Sequence, residues 1–325
     1  MGAGEVNREA AAAVVGAGPC GVAAAVQLRR SGVPVLLFER EDVGGLLWNA
    51  GRVENYPGFP RGISGPALCR LLGRHLARVG VSPRFEEVRS AARVEGEPSF
   101  FRLHTASGAV YHASVLVVAT GTRPVRGVVP GEEALRGRRV FHEVKDLYDR
   151  ARGARVAVLG GGDAAYDYAL NLAARGARVE LLRRGPARCL PLLAERAAAE
   201  EAVTVEAPVT VRAVEGGGRG VCLRVDGPGG ARTLEADFLL VACGRAPEDG
   251  LLSGLRGAAP AAGGGGTPSL PPGLYAGGDV VRGPFRQAGI AVGDGLLAAM
   301  SAIGYLRSVR VPGEGARPGE EKTER

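Results

Sequence analysis

The stretch from Val14 to Glu39, VVGAGPCGVAAAVQLRRSGVPVLLFE, constrains the fold of this chain more than any other part of it. Val14 and Val15 end an apolar β-branched run of strand character. Gly16, Gly18 and Gly21 follow in GxGxxG spacing with Pro19 inside the turn, and an alanine-rich helix runs to a stop at Ser31-Gly32. Val33 to Phe38 reads as a second buried strand closed by Glu39. Each glycine has a separate task in such a turn. Gly16 makes the tight bend, Gly18 lets backbone approach a pyrophosphate, and Gly21 lets helix pack on strand. The helix N-terminus offers free N–H groups to the phosphates, and Glu39 can accept hydrogen bonds from a ribose diol. The unit therefore reads as a dinucleotide site without saying which dinucleotide.

The same plan recurs from Val156, in VAVLGGGDAAYDYALNLAARGARVELLRR. Gly160, Gly162 and Ala165 give GxGxxA, with Asp163 and Ala164 at the turn-to-helix step. Where the first unit ends on an acid, the second ends at Leu181-Leu182 and continues with Arg183, Arg184 and, four residues on, Arg188. A carboxylate repels a 2′-phosphate and guanidinium groups grip one, so the second unit is expected to take NADP(H).

Between and around these units the chain reads as follows. Gly44-Gly45-Leu46-Leu47 and Val53 to Pro60 form a long ordered loop, and a helix is expected from about Ser64 to Gly80, with His75 as a structural or solvent-facing residue. Short β patterns run from about Pro83 to His112, a buried strand from Leu116 to Gly121, and Arg123-Pro124 reads as a linker. A helix is expected over Ala194 to Ala202, a β meander over Val203 to Asp237, a strand over Phe238 to Val241, a surface loop over Ala258 to Pro272, and a last helix from about Gly289 to Leu306. At 325 residues the chain suits about two domains. Its five cysteines, Cys20, Cys69, Cys189, Cys222 and Cys243, show no CxxC spacing, which excludes a disulfide framework or zinc site and favours a reducing cytoplasm. No run reads as long and apolar enough to span a bilayer. The net charge of +7 lies in scattered arginines, with no nucleic-acid motif beside them, and fits anionic cofactors and an acidic protein partner.

Four blocks in order, GAGPCG with Glu39, GGLL with VENYPGFP, GGGDAA with RRGPAR, and AGGD with RQA, resemble the flavoprotein disulfide reductases with two dinucleotide-binding units, in their thioredoxin reductase-like branch. The resemblance covers nearly the whole chain. It implies an α/β protein of two Rossmann-like three-layer ββα domains: an FAD-binding domain from residues 1–124 and 245–325, and an NADPH-binding domain, 125–244, inserted into it. It implies FAD on the first glycine turn with Gly45 and Leu46 nearby, Asn55 near the isoalloxazine, Gly278-Asp279 at the ribitol, and Arg286, Gln287 and Ala288 at the ring edge. Ala119-Thr120-Gly121 and Gly244-Arg245 become the two crossings between domains, flanking FAD and NADPH respectively. A homodimer is implied as well.

Thioredoxin reductases carry a CxxC just before the second glycine motif; here the two positions are Glu143 and Asp146. Carboxylates cannot form a disulfide, so the sequence argues against a thioredoxin reductase. Val144-Lys145-Asp146, Asp163, Asp167 and Ala169 to Leu172 look instead like thioredoxin reductase-like ferredoxin or flavodoxin–NADP reductases, although no aromatic follows Tyr305 to stack on the flavin. The expected activity is hydride transfer from NADPH to FAD and delivery to a ferredoxin, flavodoxin or other iron–sulfur protein, including a dedicated role in a biosynthetic system such as lipoate assembly. The alternatives are reduction of a small disulfide or a quinone, and a non-enzymatic flavin-based redox sensor. No general base is required; Asn55 and His142 are the candidates for a direct catalytic part, His142 as a proton donor.

Overall fold

The computed structural model describes residues 9–96, 99–218, 220–256 and 270–309. The chain opens with strand β1 (Glu9–Val15), helix α1 (Pro19–Arg30) and strand β2 (Val35–Glu39). A 3-10 turn (Gly45–Asn49) and helix α2 (Gly65–Arg78) follow, the latter N-capped by the Ser64 hydroxyl, which accepts from the Ala67 N–H. Strands β3 (Arg84–Phe85), β4 (Val88–Val94), β5 (Phe100–Thr105) and β6 (Val110–Val118) complete the first segment. Strand β7 (Thr122–Pro124) then leads to the short helix α3 (Glu132–Leu135) and to β8 (Val140–Phe141). The second βαβ unit is β9 (Arg155–Leu159), α4 (Asp163–Ala173) and β10 (Arg178–Leu182), then α5 (Pro191–Ala199) and β11 (Val203–Glu206). Three antiparallel strands, β12 (Thr210–Gly217), β13 (Gly220–Gly227) and β14 (Gly230–Ala236), precede β15 (Phe238–Val241). The chain ends, as described, with β16 (Arg245–Pro247), α6 (Gly250–Arg256), β17 (Leu274–Ala276) and α7 (Ala288–Val309).

These strands form two principal sheets. One runs β3-β2-β1-β6-β5-β4 with β17 also on β6; the other runs β11-β10-β9-β15-β8. In both, the first strand of the glycine unit sits centrally and its neighbours are parallel, so the strand ends converge on one edge. The inner strands are buried on both faces: Ala12, Ala13 and Val14 of β1, and Ala157 and Val158 of β9, are all fully inaccessible. Helix α1 lies on the first sheet with α7 beside it. The approach is close because α7 presents Gly295, where a Cβ would fall 2.1 Å from the Cys20 carbonyl oxygen. Leu28 on α1 is fully buried in this layer, a contribution of about 1.5–3 kcal/mol.

Several boundaries move from the sequence expectation. The strand expected from Leu116 begins at Val110, because Phe101 to His104 of β5 pair antiparallel with Val110 to Ala113 before β1 takes over. Arg123-Pro124 is not a free linker: β7 pairs antiparallel with β16, Arg245 opposite Pro124 and Pro247 opposite Thr122. Helix α5 begins at Pro191, whose fixed φ suits a first helical position, and ends at Ala199 rather than Ala202. β11 joins the parallel sheet beside β10 instead of a meander. Most of the loop expected over Ala258 to Pro272 lies outside the described residues. The expectation that no run is long and apolar enough to cross a membrane also needs correction, since α7 meets that test by length and composition. Its Ile, Val and Leu side chains raise its hydropathy, and the face it packs inward is built mainly of small residues. Ala291, Gly295, Ala298, Ala299 and Ala302 pack inward, and buried Asp294 pairs with Arg282.

Candidate functional site

The first glycine turn is built by steric necessity. A Cβ on Gly21 would meet the Gly16 carbonyl oxygen at 1.7 Å, so α1 can seat on β1 only with glycine there. A Cβ on Gly18 would meet nothing within 4 Å. Gly16 has φ +101 and packs under Ala119, and the Ala119 N–H bonds the Val15 carbonyl at 2.8 Å. The GGLL block closes on this turn: the Gly44 N–H donates to Ala17 O at 2.8 Å, and Gly45 stands over Gly18, with Leu46 next in the chain. Glu39 accepts from the Ala17 N–H at 2.8 Å and from the Glu41 N–H at 2.9 Å, which fixes its carboxylate at the lip. A cleft of about 190 Å³ opens there, lined by Gly16, Glu39, Arg40, Glu87, Thr120 and Glu248. Thr120 donates to Glu248 O at 2.6 Å, and Gly121 turns the chain away with φ +70.

The residues expected around a flavin come together at the other end. The Asn55 amide donates to Gln287 Oε1, joining parts of the chain 232 residues apart. Ala288, like Trp48, Tyr56 and Phe59, packs against the cluster of Leu47, Val53, Leu68 and Cys69. The Gly278 N–H bonds Asp294 at 2.9 Å and positions Asp279. Burial pushes the Asp279 carboxyl up, against the opposing pull of Arg286 and Arg245. Arg286 Nη1 donates to Arg245 O at 3.3 Å, while its buried Nε has no partner among the described residues.

A cavity of about 740 Å³ lies at the carboxyl ends of β9 and β15. Gly160, Gly162, Asp163, Ala164, Arg183, Arg184, Arg188, Gly244 and Arg245 all line it, and Ala165 is buried beneath. Asp163 accepts from the Leu190 N–H at 2.8 Å, and the Arg188 N–H donates to Gly161 O at 2.7 Å, so the arginine loop is folded back onto the glycine turn. Arg183 bonds Gly185 O through Nη1 and leaves a buried Nε without a partner. Arg245, also in the lining, is held by Thr122 (Nε to Oγ1, 2.9 Å) and Glu143 (Nη1 to Oε1, 2.8 Å).

A run of hydrogen bonds joins the two glycine-turn units. Asn49 donates to Glu143 Oε2 at 2.8 Å and accepts from the Lys145 N–H at 3.1 Å. Lys145 reaches Glu41 at 2.6 Å, Tyr148 donates to Trp48 O at 2.6 Å, and Asp167 accepts from the Gly51 N–H at 3.0 Å. Glu143 therefore belongs to a polar seam, and the Asp146 N–H bonds the Glu143 carbonyl beside it at 3.2 Å. Sequence reading did not single out Asn49 or the buried Glu132, and no local motif marks either. Burial raises the thiols of Cys20 and Cys69 to about 12 and also raises Cys189 and Cys243. All five cysteines are free, and His75 is exposed.

Residues 10–295 match the family described as pyridine nucleotide-disulphide oxidoreductase. The chain belongs to this family. It is 34% identical over 300 residues to the bifunctional thioredoxin reductase/thioredoxin of Mycobacterium leprae, covering 90% of this chain and 65% of that longer protein. It is 32% identical over 301 residues to the thioredoxin reductase of Mycolicibacterium smegmatis, covering 90% and 95%. The T. acidophilum thioredoxin reductase structure superposes with a TM-score of 0.81 at 27% identity, over 93% of this chain and all of that one. The two-unit Rossmann fold and the cofactors FAD and NADPH stand with the family.

These likenesses overturn two expectations. The exclusion of thioredoxin reductase rested on the missing CxxC, and the acidic ferredoxin, flavodoxin or iron–sulfur acceptor rested on Val144 to Asp146 with Asp163, Asp167 and Ala169 to Leu172, and on the positive charge. The relatives, matched over nine-tenths of the chain, are named for thioredoxin reduction. The physical reason for the error is one of scope. A missing cysteine pair bears on how electrons leave the flavin, and does not by itself name the acceptor.

Proposed function

We propose that this chain is an NADPH-dependent, FAD-carrying reductase of a disulfide, with residues 1–124 and 245–325 holding FAD and 125–244 holding NADPH. The observation that carries the reading is the pair of glycine-turn sites in two units joined through the Asn49–Glu143–Arg245 seam. The residues fit both groups: Gly18 and Gly162 leave open cradles where a Cβ meets nothing, and Arg286 and Arg183 each keep an unpartnered buried Nε. Gly16, Gly18, Pro19, Gly21, Glu39, Gly45, Leu46, Asn55, Ala119, Thr120, Gly121, Gly278, Asp279, Arg286, Gln287 and Ala288 are assigned to FAD. Gly160, Gly162, Asp163, Ala164, Ala165, Arg183, Arg184, Arg188 and Gly244 are assigned to NADPH, with Arg245 as a bracing residue.

Bound FAD supplies a two-electron carrier between the nicotinamide and the disulfide. The protein's part is to hold the two nucleotides in the two units joined through the seam and to exclude water from the buried ends of β1 and β9. The balanced reaction is NADPH, a proton and RSSR giving NADP+ and two RSH. The names of the relatives support a thioredoxin-type protein disulfide as substrate. Glu143 and Asp146, together with the burial-raised thiols, support a low-molecular-weight disulfide as a second reading, since no thiol relay of the chain's own is built. The cytoplasm is the proposed compartment, and the exposed apolar residues Ile290, Leu297 and Met300 on α7 support pairing with a second copy.

NADPH oxidation by the FAD-reconstituted protein, measured with oxidised thioredoxin and with a panel of small disulfides, tests the reading. Turnover with stoichiometric thiol release is expected with one of the two classes. Flavin reduction without turnover on either would sink it.

A further inference from the structure

His142 is a buried side chain in the wall of the larger cavity, and half of its hydrogen-bonding capacity is unused. It follows β8 directly and is 7% exposed. Its Nε2 lies 3.3 Å from Glu132 Oε1, its sole side-chain partner among the described residues. Glu132 is 1% exposed, and its carboxylate also accepts from the backbone N–H groups of Gly127 and Val129. Three donors thus fix this carboxylate, and it braces the imidazole from behind. With Nε2 taken up by the Glu132 carboxylate, Nδ1 is the ring nitrogen left to the cavity.

The strand order says which part of a ligand this nitrogen meets. In the order β10-β9-β15-β8 the strands are parallel, and their carboxyl ends carry Arg183, Gly160, Ala242 and His142 in turn. Three strand spacings separate Arg183 from His142, about 14 Å. A dinucleotide laid across these ends with its 2′-phosphate at Arg183 and its pyrophosphate at the Gly160 turn extends its other nucleoside towards β15 and β8.

We propose that His142 Nδ1 accepts a hydrogen bond from the nicotinamide nucleoside of NADPH, from a ribose hydroxyl or the carboxamide amino group, with Glu132 as the positioning residue that holds the ring. This rests on the reading of the cavity as the NADPH site. The sequence offered His142 as a proton donor; the bond to Glu132 assigns it a binding role.

Equilibrium binding of NADP+ and of 2′,5′-ADP, which carries the phosphate but no nicotinamide, tests the proposal without turnover. His142→Ala should weaken NADP+ by about three- to tenfold and leave 2′,5′-ADP within about twofold of wild type. His142→Asn, whose Oδ1 can stand near the Nδ1 position, should recover part of the loss. Equal weakening of both ligands in both variants means that His142 only supports the fold, and unchanged NADP+ affinity means that it touches nothing; either overturns the proposal. Failure of the wild type to bind 2′,5′-ADP overturns the NADPH-site reading itself, and the proposal with it.

Discussion

Glu143 and Arg245 meet at 2.8 Å across 102 residues of chain, and the same carboxylate holds Asn49 at 2.8 Å. One side chain therefore ties the segment after β8 both to the returning crossing strand β16 and to the loop beneath the first glycine turn. Glu143→Ala should leave the half-buried Arg245 guanidinium with Thr122 alone and cost about 1–3 kcal/mol of stability. Glu143→Gln, which keeps an acceptor for Asn49, should cost less. Urea unfolding of the two variants beside wild type measures the order, and equal loss would mean that the acceptor kept for Asn49 contributes nothing.

Gly18 and Gly21 should separate cofactor binding from folding. Gly18→Ala puts a methyl group into open space, so the apoprotein should unfold within about 0.5 kcal/mol of wild type while flavin content on purification falls sharply. Gly21→Ala drives a Cβ into the Gly16 carbonyl and should destabilise the apoprotein by about 1–3 kcal/mol or more. Full FAD occupancy in Gly18→Ala would remove the turn from the FAD site.

Arg183 and Arg184 should set the choice of nicotinamide cofactor. Each charge-assisted phosphate contact contributes about 1.5–3 kcal/mol, so Arg183→Ala with Arg184→Ala should raise the NADPH KM by about two to four powers of ten. The NADH KM should barely move. Parallel rises for both cofactors would exclude a 2′-phosphate clamp.

The Lys145–Glu41 pair gives the seam a pH window. The Lys145 hydrogen bond holds the Glu41 carboxyl below its usual 4.5, so its contribution is present above that pH and is lost as pH falls through the lower folded value. Burial pulls the Lys145 ammonium down, but Glu41 outweighs it and leaves the group above 10.5, so that contribution is lost only as pH rises past the folded value. Glu41 is half exposed, which limits the pair to about 0.2–1 kcal/mol. Glu41→Gln should lower stability at pH 7 by that amount and narrow the gap to wild type below pH 4.5. A gap that stays constant with pH would deny the pair any role.

The fold was legible where the chain repeats a rule. Both glycine turns, the Arg183–Arg188 loop and the Phe238–Val241 strand lie where spacing placed them, because each follows from local sterics or a continuous apolar run. The pairing of β7 with β16, and of β11 with β10, was not legible, since strand partners are chosen by tertiary contact. The seam was hidden for the same reason. Asn49, Glu132 and Glu143 carry no motif, and their meaning depends on partners about 10 to 100 residues away. Thioredoxin reductase was excluded because one absent motif was weighed above the ordered set of four that were present.

The antiparallel β7–β16 pair brings the two ends of the intervening segment side by side. The chain leaves the first sheet at Thr122–Pro124 and returns at Arg245–Pro247, with the Val125 N–H on Gly244 O at 3.0 Å. Start and finish of the insert are thus neighbours in one hydrogen-bonded ribbon. A two-residue hairpin turn could bridge them, cutting out everything between while β6, β17 and the first glycine turn keep their register. Seen this way, the segment between the two strands is held at two places, the ribbon of its own ends and the seam from Glu143, Lys145, Tyr148 and Asp167 to residues 41–51, so a replacement for it must reproduce that second attachment as well as the first.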